Sequence, residues 1–388
     1  MTFLYIILFI SISLNLLVFF VDTLPFIKPK IKRRICKKDN DYRSNKLDHA
    51  FLEKKIAQRA VEMSKSDKNL TILHDNKNFT ATIFYYLTNK KLKRYIRYHY
   101  PRAFLFYGIS EYFKTEKDVD GLNKFKIVFD KIITEEGEPK FNLSIVDQAP
   151  YGLAALNLYE QYKEDKYLYF IEKVYDQTIV ANINELGLVE YRKGQKEVLD
   201  DTLGMIIPFL VEYFKLTSKP EVLDLARRQI DYYIKFGVDK DTFIPSHGIT
   251  ASNIKVGSIN WGRGIGWYLL GLAKINEITN DYEKEFVGIY KSLEQLKTEE
   301  NLYTQFPGSS DLFDASTSTM FLYSFSYLRE NNYSRKFILN LFSKYISDDG
   351  SLMNTSGDTY WLNKYSESFG YSELSQGMLL LLLTRSKQ

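Results

Sequence analysis

The chain has 388 residues, 45% of them hydrophobic and 15% aromatic, with a formal net charge of +4. That length holds one large or two average domains with a sizeable core, and the near-neutral balance argues against a phosphate-binding, nucleic-acid surface. A single cysteine, Cys36, excludes an intramolecular disulfide and a cysteine metal cluster, and no H-E-x-x-H, P-loop or G-x-G-x-x-G pattern asks for a metal or a nucleotide cofactor.

The first element is apolar. Residues 3–21, "FLYIILFISISLNLLVFFV", are about as long as a helix needs to be to cross a bilayer. They lack the basic start and small-residue cleavage site of a signal peptide. Lys28, Lys30, Lys32, Arg33, Arg34, Lys37 and Lys38 follow the apolar run, and by the positive-inside rule they keep this flank and the body behind it cytoplasmic. The expectation is a single-pass anchor over residues 1–25 in a bacterial inner membrane, the alternative being an atypical export signal with the body outside. Residues 26–79 read as a basic juxtamembrane segment and a tether with one amphipathic helix, "AFLEKKIAQRAVEM".

From residue 80 to 388 two kinds of helix alternate. Runs that are apolar nearly all round begin near Phe104, Gly152, Gly204, Trp267, Met320 and Leu374, at a period of roughly fifty residues that marks a repeat architecture. After most of them come a polar break ("KEDK", "KLTSKP", "ITND") and a half-polar helix such as "PEVLDLARRQIDYYIKF". The first kind is buried and the second covers it. A sixth covering helix is expected within residues 80–98. Six such hairpins predict an all-α fold, an (α/α)6 toroid. The competing architecture is an open solenoid, and closure is favoured because "GMLLLLL" at the C-terminus leaves no polar capping repeat.

The loops entering the inner helices collect the unusual residues: Asp147, Asp200, Asp201, His247, Trp261, Arg263, Trp267, Asp314 and Trp361. Carboxylates, flat aromatics and an arginine on one rim suit a carbohrydate site, since sugars stack on rings and their acid–base chemistry uses carboxyl groups of tunable pKa. Each has a plainer reading. Asp201 is well placed as an N-cap, Asp147 as a turn residue, His247 as a loop histidine, and Trp261 and Trp267 as core anchors. "FDASTSTM", with Asp314 and Ser316, reads as a capping run whose hydroxyls equally suit a sugar.

"VDQAPYGLAALNLYEQYKEDKYL", "LDDTLGMIIPFLVEYFKLTSKPEVLDLARRQ", "INWGRGIGWYLLGLAKI" and "DASTSTMFLYSFSYL" resemble, in order and spacing, the unsaturated glucuronyl and rhamnogalacturonyl hydrolases of glycoside hydrolase families 88 and 105, more closely 105. The resemblance covers roughly residues 95–388. It implies an (α/α)6 fold and hydrolysis of oligosaccharides ending in a 4,5-unsaturated uronic acid, by hydration of the vinyl ether. It implies Asp201 as the catalytic acid, assisted by Asp147, with His247, Trp261, Arg263 and Trp267 around the sugar and no metal or cofactor. Asp314 and Ser316 are further expected sugar contacts. Asp201 must hold a proton, so its pKa is expected to be raised above the ordinary value of about 3.9 by burial or by Asp147. The chain departs from the family pattern where Leu188, Val189 and Glu190 replace the aromatics and histidine of a "GGFWH" stretch, and where Ile265 replaces an asparagine. The alternatives are a polysaccharide-biosynthesis enzyme acting on a saturated sugar and a non-catalytic sugar-binding protein.

Overall fold

The computed structural model describes residues 3–20, 48–66 and 97–387, apart from 311, 312, 329, 330, 332, 360, 367 and 368. The basic cluster of residues 28–38 and most of the covering helix expected over 80–98 lie outside the described residues. Helix α1 (Phe3–Phe20) has a mean hydropathy of 2.6 and no buried share; it is long and apolar enough to cross a membrane or to act as an export signal.

Helix α2 (His49–Lys65) starts at Asp48, whose carboxylate accepts the Phe51 amide at 3.0 Å. Ten helices then form five pairs: α3 (Tyr100–Thr115) with α4 (Val119–Phe129), α5 (Pro150–Tyr162) with α6 (Asp165–Val174), and α7 (Asp200–Thr217) with α8 (Pro220–Phe236). The others are α9 (Gly262–Thr279) with α10 (Glu283–Glu294), and α11 (Ala315–Phe325) with α12 (Arg335–Ser343); α13 (Glu373–Thr384) ends the order. The polar breaks are left-handed caps: Lys163, Ser218 and Asn280 take φ of 55°, 55° and 56°, and their amides return to the carbonyls of Tyr159, Phe214 and Asn276. That turns the chain back sharply at the end of α5, α7 and α9.

The apolar helices are the inner ones. In α9 every residue from Gly262 to Asn276 is buried. Helices α3, α5, α7, α9, α11 and α13 pack each against the next, and α13 packs on α3. The last contact is backbone on backbone: a Cβ on Gly108 would lie 2.3 Å from the Gly377 carbonyl oxygen. Here glycine is required because nothing larger fits.

Helix α2 packs against α3, α12 and α13 and buries Ile56, Ala60 and Met63. Its apolar stripe needs a partner surface, and the gap between α12 and α4 supplies it. The helix expected in the tether by its sequence position thus packs on the helical body.

The loops entering the inner helices are stitched to one another. Gln148 Nε2 donates to the Tyr98 carbonyl (3.0 Å), Arg192 holds Asp147, and the Asp200 amide donates to the His247 carbonyl (3.1 Å). The Gly262 amide reaches the Gln305 carbonyl (2.8 Å), the Ala315 amide that of Asn354 (2.9 Å), and the Tyr100 hydroxyl the Asp358 carboxylate. Short antiparallel strands reinforce the stitching: β1 (Val198–Leu199), β2 (Gly248–Ile249) and β3 (Lys255–Val256) form one sheet, β4 (Thr355–Ser356) and β5 (Phe369–Gly370) another. A separate cavity of about 190 Å³, lined by Lys114, Glu212, Lys274 and Arg385 among others, is filled with paired charges: Lys274 Nζ is 2.7 Å from Glu212 and 2.8 Å from Glu277.

Candidate active site

Strand β1 feeds directly into α7, and its pairing of Leu199 with Gly248 sets the start of α7 beside His247. Asp200 and Asp201 thus occupy the first helical turn, where free backbone N–H groups favour negative charge. Asp201 Oδ2 lies 3.0 Å from Nε2 of His247, and both side chains are nearly enclosed, at 13% and 4% exposure. The His247 ring stands 4.4 Å from that of Trp261, and the Tyr365 hydroxyl lies 3.5 Å from His247 Nδ1. Tyr365 is fixed in turn, donating to the Leu362 carbonyl at 2.5 Å and accepting the Ser258 amide at 3.1 Å.

The two neighbouring aspartates differ in their affinity for a proton. Burial, reinforced by the neighbouring Asp201 charge, pushes the Asp200 carboxyl well above the usual range. Burial also pushes Asp201 upward, but the hydrogen bond and charge of His247, the proton on Asp200 and the charge of Arg263 together bring it below its ordinary value. This reverses the expected direction for Asp201: of the two, Asp200 is the carboxyl whose proton affinity is raised, and Asp201 keeps the larger exposed surface. Asp200 Oδ1 is buried without a partner, and the other oxygen is packed so closely on Gly264 that a Cβ there would meet it at 2.7 Å. Asp200, Asp201 and His247 each bring one donor atom within 4.8 Å of the others, the one such cluster among the described residues. A cation, were one bound, would take these three.

Asp147 sits in a short turn (Val146–Gln148) and is 3% exposed. It is held by Arg192, with Nη2 to Oδ2 at 2.8 Å and Nη1 to Oδ1 at 3.3 Å. Tyr191 feels the charges of both Asp147 and Asp201, which places the two carboxylates in one electrostatic neighbourhood.

The remaining expected contacts are engaged elsewhere. Arg263 donates from Nη1 to the Ser356 carbonyl (3.0 Å) and from Nη2 to that of Gly357 (2.8 Å), with Asp358 at 3.8 Å and the Trp261 ring 5.3 Å below. Its fork grips the loop before α13. Trp267 is 1% exposed and lies more than a turn inside α9, edge-on to Tyr100 and tilted against Phe104. Asp314 is the cap of α11, accepting the Ser316 and Thr317 amides and the Ser316 hydroxyl. Neither Asp314 nor Ser316 has exposed surface, and both are engaged in the cap of the helix. Trp361, by contrast, is 54% exposed.

Four residues close to this cluster were not singled out by sequence: Arg192, Tyr100, Asp358 and Tyr365. Arg192 lies in "EYRKGQK", which reads as a solvated charge run, and the others become visible only when loops far apart in sequence meet.

Residues 77–382 match the model of Glycosyl Hydrolase Family 88. Among solved structures the fold is shared with a family 105 glycoside hydrolase of C. acetobutylicum, at TM-score 0.62 and 18% identity over 78% of this chain and 96% of that one. It is shared with an unsaturated glucuronyl hydrolase specific for heparin, at 0.61 and 15% over 87% and 96%. It is shared too with an inactive double-aspartate variant of an α-1,6-mannanase from Salegentibacter, at 0.58 and 12% over 87% and 98%. With the greater part of its length matched by the family model and carboxylates gathered where its inner helices begin, this chain belongs to glycosyl hydrolase family 88 and is a glycoside hydrolase.

Proposed function

We propose that the chain hydrolyses oligosaccharides ending in a 4,5-unsaturated uronic acid, and that Asp201 is its acid–base group. The observation that carries this reading is the Asp200–Asp201–His247 cluster at the start of α7: two adjacent carboxyl groups beside an imidazole, 3.0 Å from the second of them. A vinyl ether needs a proton at carbon 4 and water at carbon 5. The proton stored on Asp200 passes to Asp201, which delivers it to carbon 4. The cation formed at carbon 5 is captured by water, whose proton returns to the Asp201 carboxylate. The resulting hemiketal opens and the leaving sugar departs. His247 fixes the rotamer of Asp201 and keeps it charged between turnovers, so that it is ready to accept the proton from water. Asp147 assists from the neighbouring loop.

In this reading the six inner helices are the inner wall of an (α/α)6 toroid. Residues 3–20 anchor it by a single pass in a bacterial inner membrane, and the basic residues after them hold the body on the cytoplasmic side. The departures at Glu190 and Ile265 point to a substrate other than the usual pectin fragment. A second reading, cleavage of a saturated glycoside, is favoured by the vicinal aspartates, since the mannanase sharing the fold is inactive as a double-aspartate variant. One assay separates them: loss of the ultraviolet absorbance of the unsaturated uronate on a panel of lyase digests. Loss supports hydration; release of reducing sugar from saturated substrates alone supports the second reading.

A further inference from the structure

The loop that departs most from the family pattern has a defined shape. Leu188 and Val189 are buried, and Val189 is pinned by Gln229, which accepts its amide at 2.9 Å. Glu190, where the family has a histidine, accepts the Gly194 amide at 2.6 Å and closes a tight turn with Gly194 at φ +78°. That turn presents Arg192. Its guanidinium lies over the Tyr191 ring, 4.1 Å from the centroid, and its side chain remains 42% exposed above the nearly enclosed Asp147.

A guanidinium has five N–H donors arranged as two usable forks. Asp147 takes the end fork, between Nη1 and Nη2, and the Tyr191 carbonyl takes another hydrogen of Nη1 at 2.9 Å. The side fork, formed by Nε and Nη2, has no acceptor among the described residues. It is shaped for a second carboxylate. Arg263, the other arginine near the cluster, is 3% exposed and has given both terminal nitrogens to backbone carbonyls. Moving it to a ligand would strand the Ser356 and Gly357 carbonyls in a buried setting, whereas Arg192 can accept a ligand without losing a bond.

We propose that the Nε/Nη2 edge of Arg192 is the subsite for the carboxylate of the sugar acid, with Asp147 holding the guanidinium in place from its other end. Arg192 is then the specificity determinant that restricts this chain to anionic sugars. Resting as it does on the uronyl reading above, the inference is tested by binding, so that its outcome is independent of turnover.

The full chain in detergent, carrying Asp201→Asn so that nothing is consumed, is titrated calorimetrically with a 4,5-unsaturated glucuronyl disaccharide and with its methyl ester. The expected result is tighter binding of the free acid by roughly 10- to 100-fold. Arg192→Gln should erase that preference by weakening the acid and leaving the ester unchanged. Arg192→Lys, which keeps the charge but loses the fork, should keep only part of it, and it still decides the matter if the Gln variant does not fold. The proposal is overturned if Arg192→Gln keeps the acid preference, weakens acid and ester equally, or if the parent protein shows no preference. An Arg192-dependent preference in a chain that clears no lyase digest would sustain this subsite while removing the hydrolase reading.

Discussion

His247 Nε2 and Asp201 Oδ2 stand 3.0 Å apart although 46 residues separate them in sequence. The β1–β2 pairing brings them together, and the contact lowers the proton affinity of Asp201 while burial raises that of Asp200. The consequences for stability and turnover differ for each carboxylate.

Asp200→Asn separates the two. A buried carboxyl whose folded pKa is raised stabilises the fold below its unfolded value of about 3.9, and that contribution is lost as pH rises through the folded pKa. The asparagine amide carries no charge to bury and still donates toward Asp201. The variant should melt at a higher temperature than the parent above neutral pH, with the difference shrinking toward pH 4, while turnover falls because the proton store is gone. Thermal melts across pH, alongside the digest assay, check both; a lower melting temperature at pH 8 would contradict the assignment of the proton to Asp200.

The junction of first and last inner helices rests on two glycines. A Cβ on Gly377 would meet the Phe104 carbonyl oxygen at 2.3 Å. Gly377→Ala should cost at least about 1–3 kcal/mol in urea unfolding, since backbone must move to admit the methyl. A neutral result would mean that α3 and α13 do not approach this closely.

Arg102 and Glu373 form a buried ion pair across the same junction, at 3.0 Å, and Arg102 also donates to the Ser64 and Ser66 carbonyls at the end of α2. Burial, only partly offset by Arg102, raises Glu373 to about 7. Its contribution to stability is full below the unfolded value of about 4.3 and is lost as pH rises through about 7. Glu373→Gln should therefore gain on the parent in melting temperature between pH 5 and pH 8. Arg102→Leu should cost about 3–5 kcal/mol, because it leaves buried partners unpaired, and should loosen α2, seen as faster amide exchange over residues 49–65.

Trp267 and Asp314 should act on stability and not on substrate. Trp267→Ala should cost about 3–5 kcal/mol, and Asp314→Ala about 0.5–2 kcal/mol for the lost cap. Trp267→Phe, chosen to preserve folding, should leave KM within about twofold, since the ring is buried and a phenyl ring keeps its packing on Tyr100 and Phe104. A large KM change with unchanged stability would put Trp267 back in the site.

Much of this was legible in the sequence, and the rest had a definite reason to be hidden. Inner and covering helices are distinguishable because one kind is apolar all round and the other on one face. The rim aspartates, His247 and Trp261 follow from lying at the entry to those helices. What a side chain does there depends on partners far away: Arg263 is claimed by carbonyls 93 and 94 residues on, and Tyr100 by Asp358, 258 residues on. The depth of Trp267 and the docking of α2 are set by which faces meet, which local periodicity does not encode. Arg192 was hidden by its company, a run of lysines and glutamates that looks like surface.

The most direct test of the account is turnover by Asp201→Asn on a lyase digest that the parent protein clears, followed by loss of the unsaturated uronate absorbance, with circular dichroism and melting temperature measured on the same sample. The account predicts an intact fold and a rate lowered by at least about 100-fold. Near-parental turnover in a folded Asp201→Asn protein would contradict it.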